Sequence, residues 1–365
     1  MYYIQKTTVF LCLIFLSCSS DKGDIMVQYS ASTGNELLSS TFFDDMEIIV
    51  LHGEGTPLFG PYVSMIAKND TYYIADHFQS GKIYLFDKNG KYLYSVGELG
   101  RGKNEYLALS DMAIEKNGDI SIYSSYEGML YTFSPLGHFL RNTEFVYKSA
   151  NLASLNGFNY HFFGDGSGAS YQLYITDEKN CRIDSCIISP SNVPHFSPSP
   201  PVFTLFKGML NLCLPLESEI YRLKDEKWSV SYRFDLGEYT VPTEYYSKTR
   251  NEAMKFLLSQ TVAIKGPFFE NQKYAVLQVT VCDYKQGLTR INYGLLEKAT
   301  STWTWYYVNE NDFLNNDNLK YMDDLYIYFI VEPALMKGIS MIDRFPLFSE
   351  YTEEDGVVIL KCRLR

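Results

Sequence analysis

Histidine is scarce in this chain, with five residues in 365, at positions 52, 77, 138, 161 and 195. No pair stands at zinc-ligand spacing, so a histidine-built metal centre is not expected and no cofactor is predicted. Cysteine does not form a framework either. Of seven, Cys12 and Cys18 lie near the N-terminus. The other five (Cys181, Cys186, Cys213, Cys282 and Cys362) are an odd number at scattered spacing, which reads as small strand hydrophobes and not as a disulfide scaffold. Cys181 and Cys186, five residues apart on one strand, would point to opposite faces. Clusters of lysine and arginine are missing, and the formal net charge is −11. Nucleic acid, whose binding depends on neutralising phosphates, is therefore not an expected partner. The Gly-Asp-Gly-Ser-Gly run at 164–168 lacks the Lys-Ser/Thr of a phosphate loop and the following helix of a nucleophile elbow. Asp44-Asp45 and Asp323-Asp324 do not fit a calcium-loop spacing and read as solvated surface.

A long hydrophobic run is also absent. The apolar stretch at 9–16 falls short of the roughly 20 residues that cross a bilayer. It follows Lys6 and ends in Ser17-Cys18-Ser19-Ser20, the pattern of a cleaved secretory leader. A cysteine directly after a small residue at that point is the site where a lipoprotein signal is cut and a diacylglycerol thioether is formed. The expected organisation is a signal peptide over 1–17, a tether over 18–45 lipidated at Cys18, and one folded domain over 46–365. The membrane is then a partner through lipid alone. The tract from Ser19 to Asp24 resembles the short acidic signals that route lipoproteins outward, so an outer-membrane address with surface exposure is expected.

What the chain does have is a repeat. Residues 69–97 align with 117–144: Asn69 falls on Asn117, Ile74 on Ile122, Gly81 on Gly128, Phe86 on Phe133 and Gly90 on Gly137. The period is roughly 48 residues, and each unit holds short alternating or aromatic-rich runs separated by turn residues. In the first unit the strands are 63–67, 72–76, 82–87 and 92–97, with Lys88-Asn89-Gly90 as a hairpin turn. Four antiparallel strands per unit is the blade of a β-propeller. Weaker patterns at 158–188, 209–234, 274–308 and 325–363 bring the count to six, with residues 47–51 closing the last sheet beside 357–363. The fold expected is all-β, a six-bladed propeller of four-stranded antiparallel blades. A helix is predicted over 243–260 on the capping-box pattern Thr249-Arg250-Asn251-Glu252. Residues 187–201 read as a Ser/Pro-rich connection.

The run Ile83-Tyr84-Leu85-Phe86-Asp87, then Asn89-Gly90-Lys91, then Gly100-Arg101-Gly102-Lys103-Asn104-Glu105-Tyr106, resembles the six-bladed β-propeller lipoproteins of Bacteroidota, relatives of NHL and TolB-like propellers. Their inter-blade loop has the form G-x-G-P-G-E-[FY]. This chain has Lys103-Asn104 in place of Pro-Gly. The resemblance implies fold and envelope address and brings no assigned activity.

Antiparallel geometry puts the turns between second and third strands on the same face as the connections between blades. That rule gathers His77, Phe78, Gln79, Arg101, Lys103, Glu105, Tyr126 and Glu127 on one rim around the channel. Arg101 and Glu105 are expected to pin the inter-blade loop, and His77 and Tyr126 to face a ligand. The function expected is a binding or scaffolding module for a peptide, glycan or partner protein. The alternative is an extracytoplasmic propeller lyase or hydrolase, for which no catalytic constellation is evident.

Overall fold

The computed structural model describes residues 25–29, 35–37, 42–60, 62–145, 151–163, 173–177, 181–186, 202–242, 244–245, 248–308, 314, 319–331 and 357–365. Cys18, the leader, the glycine run at 164–168 and the connection at 187–201 lie outside them.

Six sheets form six blades. Blade one is Val63–Lys68, Thr71–Asp76, Ile83–Asp87 and Tyr92–Val96. Blade two is Asp111–Ile114, Ile120–Ser124, Met129–Phe133 and Phe139–Glu144. Blade three begins at Asn151–Leu155, blade four at Phe203–Phe206, blade five at Thr261–Glu270 and blade six at Leu319–Met322. These first strands pack beside one another from blade to blade and so line the axis. Phe43–Val50 pairs antiparallel with Val358–Leu364 and completes blade six. Joining the two ends of the chain in one sheet closes the ring and leaves no unpaired strand between blades six and one.

The core is divided among the blade interfaces. Ile83, Leu85, Ile120, Ile122 and Tyr106 pack between blades one and two, and equivalent clusters separate blades six and one, five and six, four and five, three and four and two and three. Middle strands are thus covered on both faces. Ile120–Ser124 is buried at every position, and for that reason it lacks the alternation of a half-exposed strand. Between blades four and five a charged group replaces hydrocarbon. The fully buried Glu270 side chain holds Arg222 and, at 2.6 Å, Lys298, while Asn211 donates to it at 2.8 Å.

Three features differ from the sequence reading. First, the N-terminal segment expected as tether contributes two short strands. Ile25–Gln28 pairs parallel with Lys227–Asp235 at the outer edge of blade four, and Asn35–Leu37 pairs parallel with Thr302–Val308 at the outer edge of blade five. The closing strand also starts at Phe43, before the expected boundary at 46. Second, the helix is confined to Arg250–Leu257. Thr249 and Glu252 form the predicted capping box, Ala253 and Leu257 are buried, and Leu258 is exposed. Third, the first strands of blades three to six, implied by the four-stranded blade, were not located in the sequence. In blade five the strand passes through Gly266-Pro267, where the ladder shifts register, a break that hides a strand in the sequence.

Candidate functional site

The inter-blade loop from Gly97 to Ser110 is built around two side chains. Tyr106 is fully buried and its hydroxyl donates to the Gly81 carbonyl. This ties the loop to the second-to-third turn of blade one. Glu105 folds back so that Gly102 N donates to its Oε2 at 2.7 Å. A β-carbon at Gly100 would lie 1.8 Å from that oxygen, so the Gly-x-Gly pattern exists to seat this carboxylate. Asn104 takes φ +72°, the left-handed region where the resembling loop carries glycine. Asparagine is among the few other residues that tolerate it.

Glu127, in the second-to-third turn of blade two, accepts from Leu107 N at 3.0 Å through one oxygen and from the Tyr131 hydroxyl at 3.4 Å through the other. It pins the loop to blade two. Between these anchors lies a cleft of about 520 Å³. Arg101, Lys103 and Leu107 line one side of it, and Tyr131, Phe139 and Asn142 the other. Arg101 and Lys103 are exposed, and neither makes a hydrogen bond or ion pair with the described residues. The cleft therefore offers two uncommitted cations beside a half-buried ring (Phe139) and an exposed amide (Asn142). Of its carboxylates, Glu127 accepts at both oxygens and Glu105 at one, all from the protein's own donors.

The structure thus gathers Arg101, Lys103, Glu105 and Glu127 but not the other expected rim residues. His77 is a bolt between blades. Its Nδ1 lies 3.0 Å from the Leu109 carbonyl, which can only accept, so Nδ1 carries the proton and Nε2 accepts from the Ser64 hydroxyl at 2.9 Å. Burial lowers its pKa, which keeps the ring neutral. The ligand-facing role expected of His77 is corrected accordingly, because both ring nitrogens are already bonded. Gln79 is exposed at a turn organised by Asp76, to which its amide donates at 3.1 Å. Tyr126 is 71% exposed and stands apart from the cleft lining. The pinning role expected of Arg101 falls instead to Glu127. The cleft also lies off the axis, over the outer strands of blade two, and not at the channel mouth. Asn142 and Phe139 were missed because they sit on an outer strand whose alternation is that of any exposed edge.

Buried titratable groups elsewhere serve packing. Asp111 accepts from Leu152 N and Met112 N, both at 2.8 Å, joining blades two and three, and burial pushes its pKa up to about 6. His161 is fully buried beside Phe145, with its pKa lowered to about 3 by desolvation. Among the described residues no group of three or more His, Cys, Asp or Glu could hold a metal ion.

Comparison with known proteins follows this architecture. A crystal structure named as an exported protein of Bacteroides fragilis NCTC 9343 superposes with a TM-score of 0.73 at 16% identity, covering 93% of this chain and 99% of that one. A member of the DUF4221 family from Bacteroides vulgatus ATCC 8482 gives 0.58 at 9% identity, covering 88% and 96%. At these identities the likeness is one of fold. No curated protein matches the chain. The family described as a domain of unknown function, DUF4934, matches residues 24–355. With most of its length covered by that match, the chain belongs to the DUF4934 family.

Proposed function

We propose that the protein is an exported, lipid-anchored binding module that captures a carboxylate-bearing ligand, glycan or peptide, in the cleft between the inter-blade loop and blade two. The observation that carries this reading is the pair Arg101 and Lys103, uncommitted cations at the lip of a cleft in a chain of net charge −11. Cations without internal partners are available to an anion from outside. An exposed charge pair at such a lip contributes about 0.2–1 kcal/mol. Phe139 and Leu107 add apolar contact beside them.

Export and anchoring are part of the same proposal. The leader, the lipidation position Cys18 and the fold shared with a protein named as exported support it. Kinship with NHL and TolB-like lipoprotein propellers rests on the blade-one motifs. The test is titration of the folded domain with oligogalacturonate and polyglutamate against neutral oligosaccharide and polyglutamine. An acidic member should bind, with affinity falling as salt screens the contact. Equal binding of the neutral counterpart, or insensitivity to salt, contradicts the proposal.

A further inference from the structure

The N-terminal segment constrains how the propeller sits on a membrane, an inference that rests on the lipid anchor proposed at Cys18. Among the described residues Ile25 is the first paired to the propeller, opposite Tyr232 on the fourth strand of blade four. Tyr29, just beyond that pairing, is buried against Trp305 of blade five at 4.8 Å between rings. Its amide donates to Asp235 O at 2.8 Å. The chain then pairs with the outer edge of blade five before completing blade six. The N-terminal segment is therefore fastened to the outside of blades four and five.

Ile25 follows Cys18 by seven residues. Even fully extended, such a leash reaches at most about 25 Å. A diacylglyceryl group on Cys18 holds that residue at the bilayer surface, so the outer edge of blade four cannot stand farther from it than this. In a ring of six, blade four lies across from blade one and blade five across from blade two. We propose that the outer edge of blades four and five faces the phospholipid headgroup layer, and that the cleft over blade two is thereby held at the pole farthest from the membrane.

The test uses the full lipidated chain in vesicles of phosphatidylethanolamine and phosphatidylglycerol that carry a headgroup quencher. In a Cys181→Ser, Cys186→Ser background, a fluorophore is placed through Ser229→Cys on the exposed edge of blade four or Leu140→Cys on the exposed edge of blade two. Quenching should be several-fold stronger at position 229 than at 140. A long Gly/Ser insertion after Lys22 should shrink that difference. Equal or reversed quenching in protein that still floats with the vesicles would overturn the orientation and leave the anchor intact. Fatty-acid incorporation that persists in Cys18→Ser would overturn the anchor and the orientation together.

Discussion

At Glu127 both carboxylate oxygens are engaged, by Leu107 N and by the Tyr131 hydroxyl, whereas Arg101 across the cleft is uncommitted. The two residues were alike in the sequence, charged side chains in turns of one face. Only the loop path separates the pin from the free group. Glu127→Ala should therefore lower stability by about 1–2 kcal/mol, from the loss of a charge-assisted bond and an unpaired Leu107 amide, measurable as a shifted denaturation midpoint. His161 supplies a pH test. Its folded pKa of about 3 lies below the ordinary value, so the folded state refuses a proton that the unfolded chain accepts. Stability should fall as pH drops from about 6.5 toward 3, by up to about 5 kcal/mol from this residue. Asp111 acts in the opposite sense: with its pKa raised to about 6, the cost of its charge is present above pH 6 and fades as pH falls below it. Unfolding curves of His161→Phe across this range should show a flatter acid limb than the parent. Parallel limbs would mean that the imidazole is not the acid-sensitive group.

The hairpin and the inter-blade loop are the elements that the sequence made legible. Asn89-Gly90 and Leu136-Gly137 do occupy equivalent third-to-fourth turns, with φ +83° and +81° at the glycines. At Gly90 the neighbourhood is tighter than the turn alone requires. A β-carbon there would lie 2.1 Å from the Val50 carbonyl oxygen, and Gly90 O accepts from His52 N at 2.9 Å. Gly90→Val should thus cost at least about 2 kcal/mol, combining left-handed strain in a β-branched residue with displacement of the closing strand. An unchanged melting temperature would refute the close approach. Elements that fell out of view did so for definite reasons. Thr261–Glu270 is interrupted by Gly266-Pro267, and Phe203–Phe206 follows a Ser/Pro-rich stretch. Ile25–Gln28 and Asn35–Leu37 are too short to show a period, and their partners lie far along the chain.

For the whole molecule, the blade type follows from the repeat in the first two blades and the count and ring closure from the weaker strand patterns after them, while the wrapping of the N-terminal segment around blades four and five depends on packing that no local pattern encodes. Tyr29 carries that packing. It is 7% exposed and meets Trp305 and Tyr239 edge-on, yet its buried hydroxyl lacks a partner among the described residues. Tyr29→Ala should destabilise the protein by about 3 kcal/mol, whereas Tyr29→Phe, which removes only the unpaired hydroxyl, should be neutral or slightly stabilising. Equal losses in the two variants would mean that the ring is not the anchor.

On the proposed function, the cleft over blade two binds an anion through cations that the fold does not need. The most direct measurement is the affinity of the Arg101→Ala, Lys103→Ala double variant for the acidic ligand bound by the parent, taken with its melting curve. Stability should stay within about 0.5 kcal/mol of the parent, as for other exposed polar substitutions. Affinity should fall by about 10-fold, the loss of two exposed charged contacts. Undiminished affinity, or a loss of affinity matched by a loss of stability, would contradict the claim.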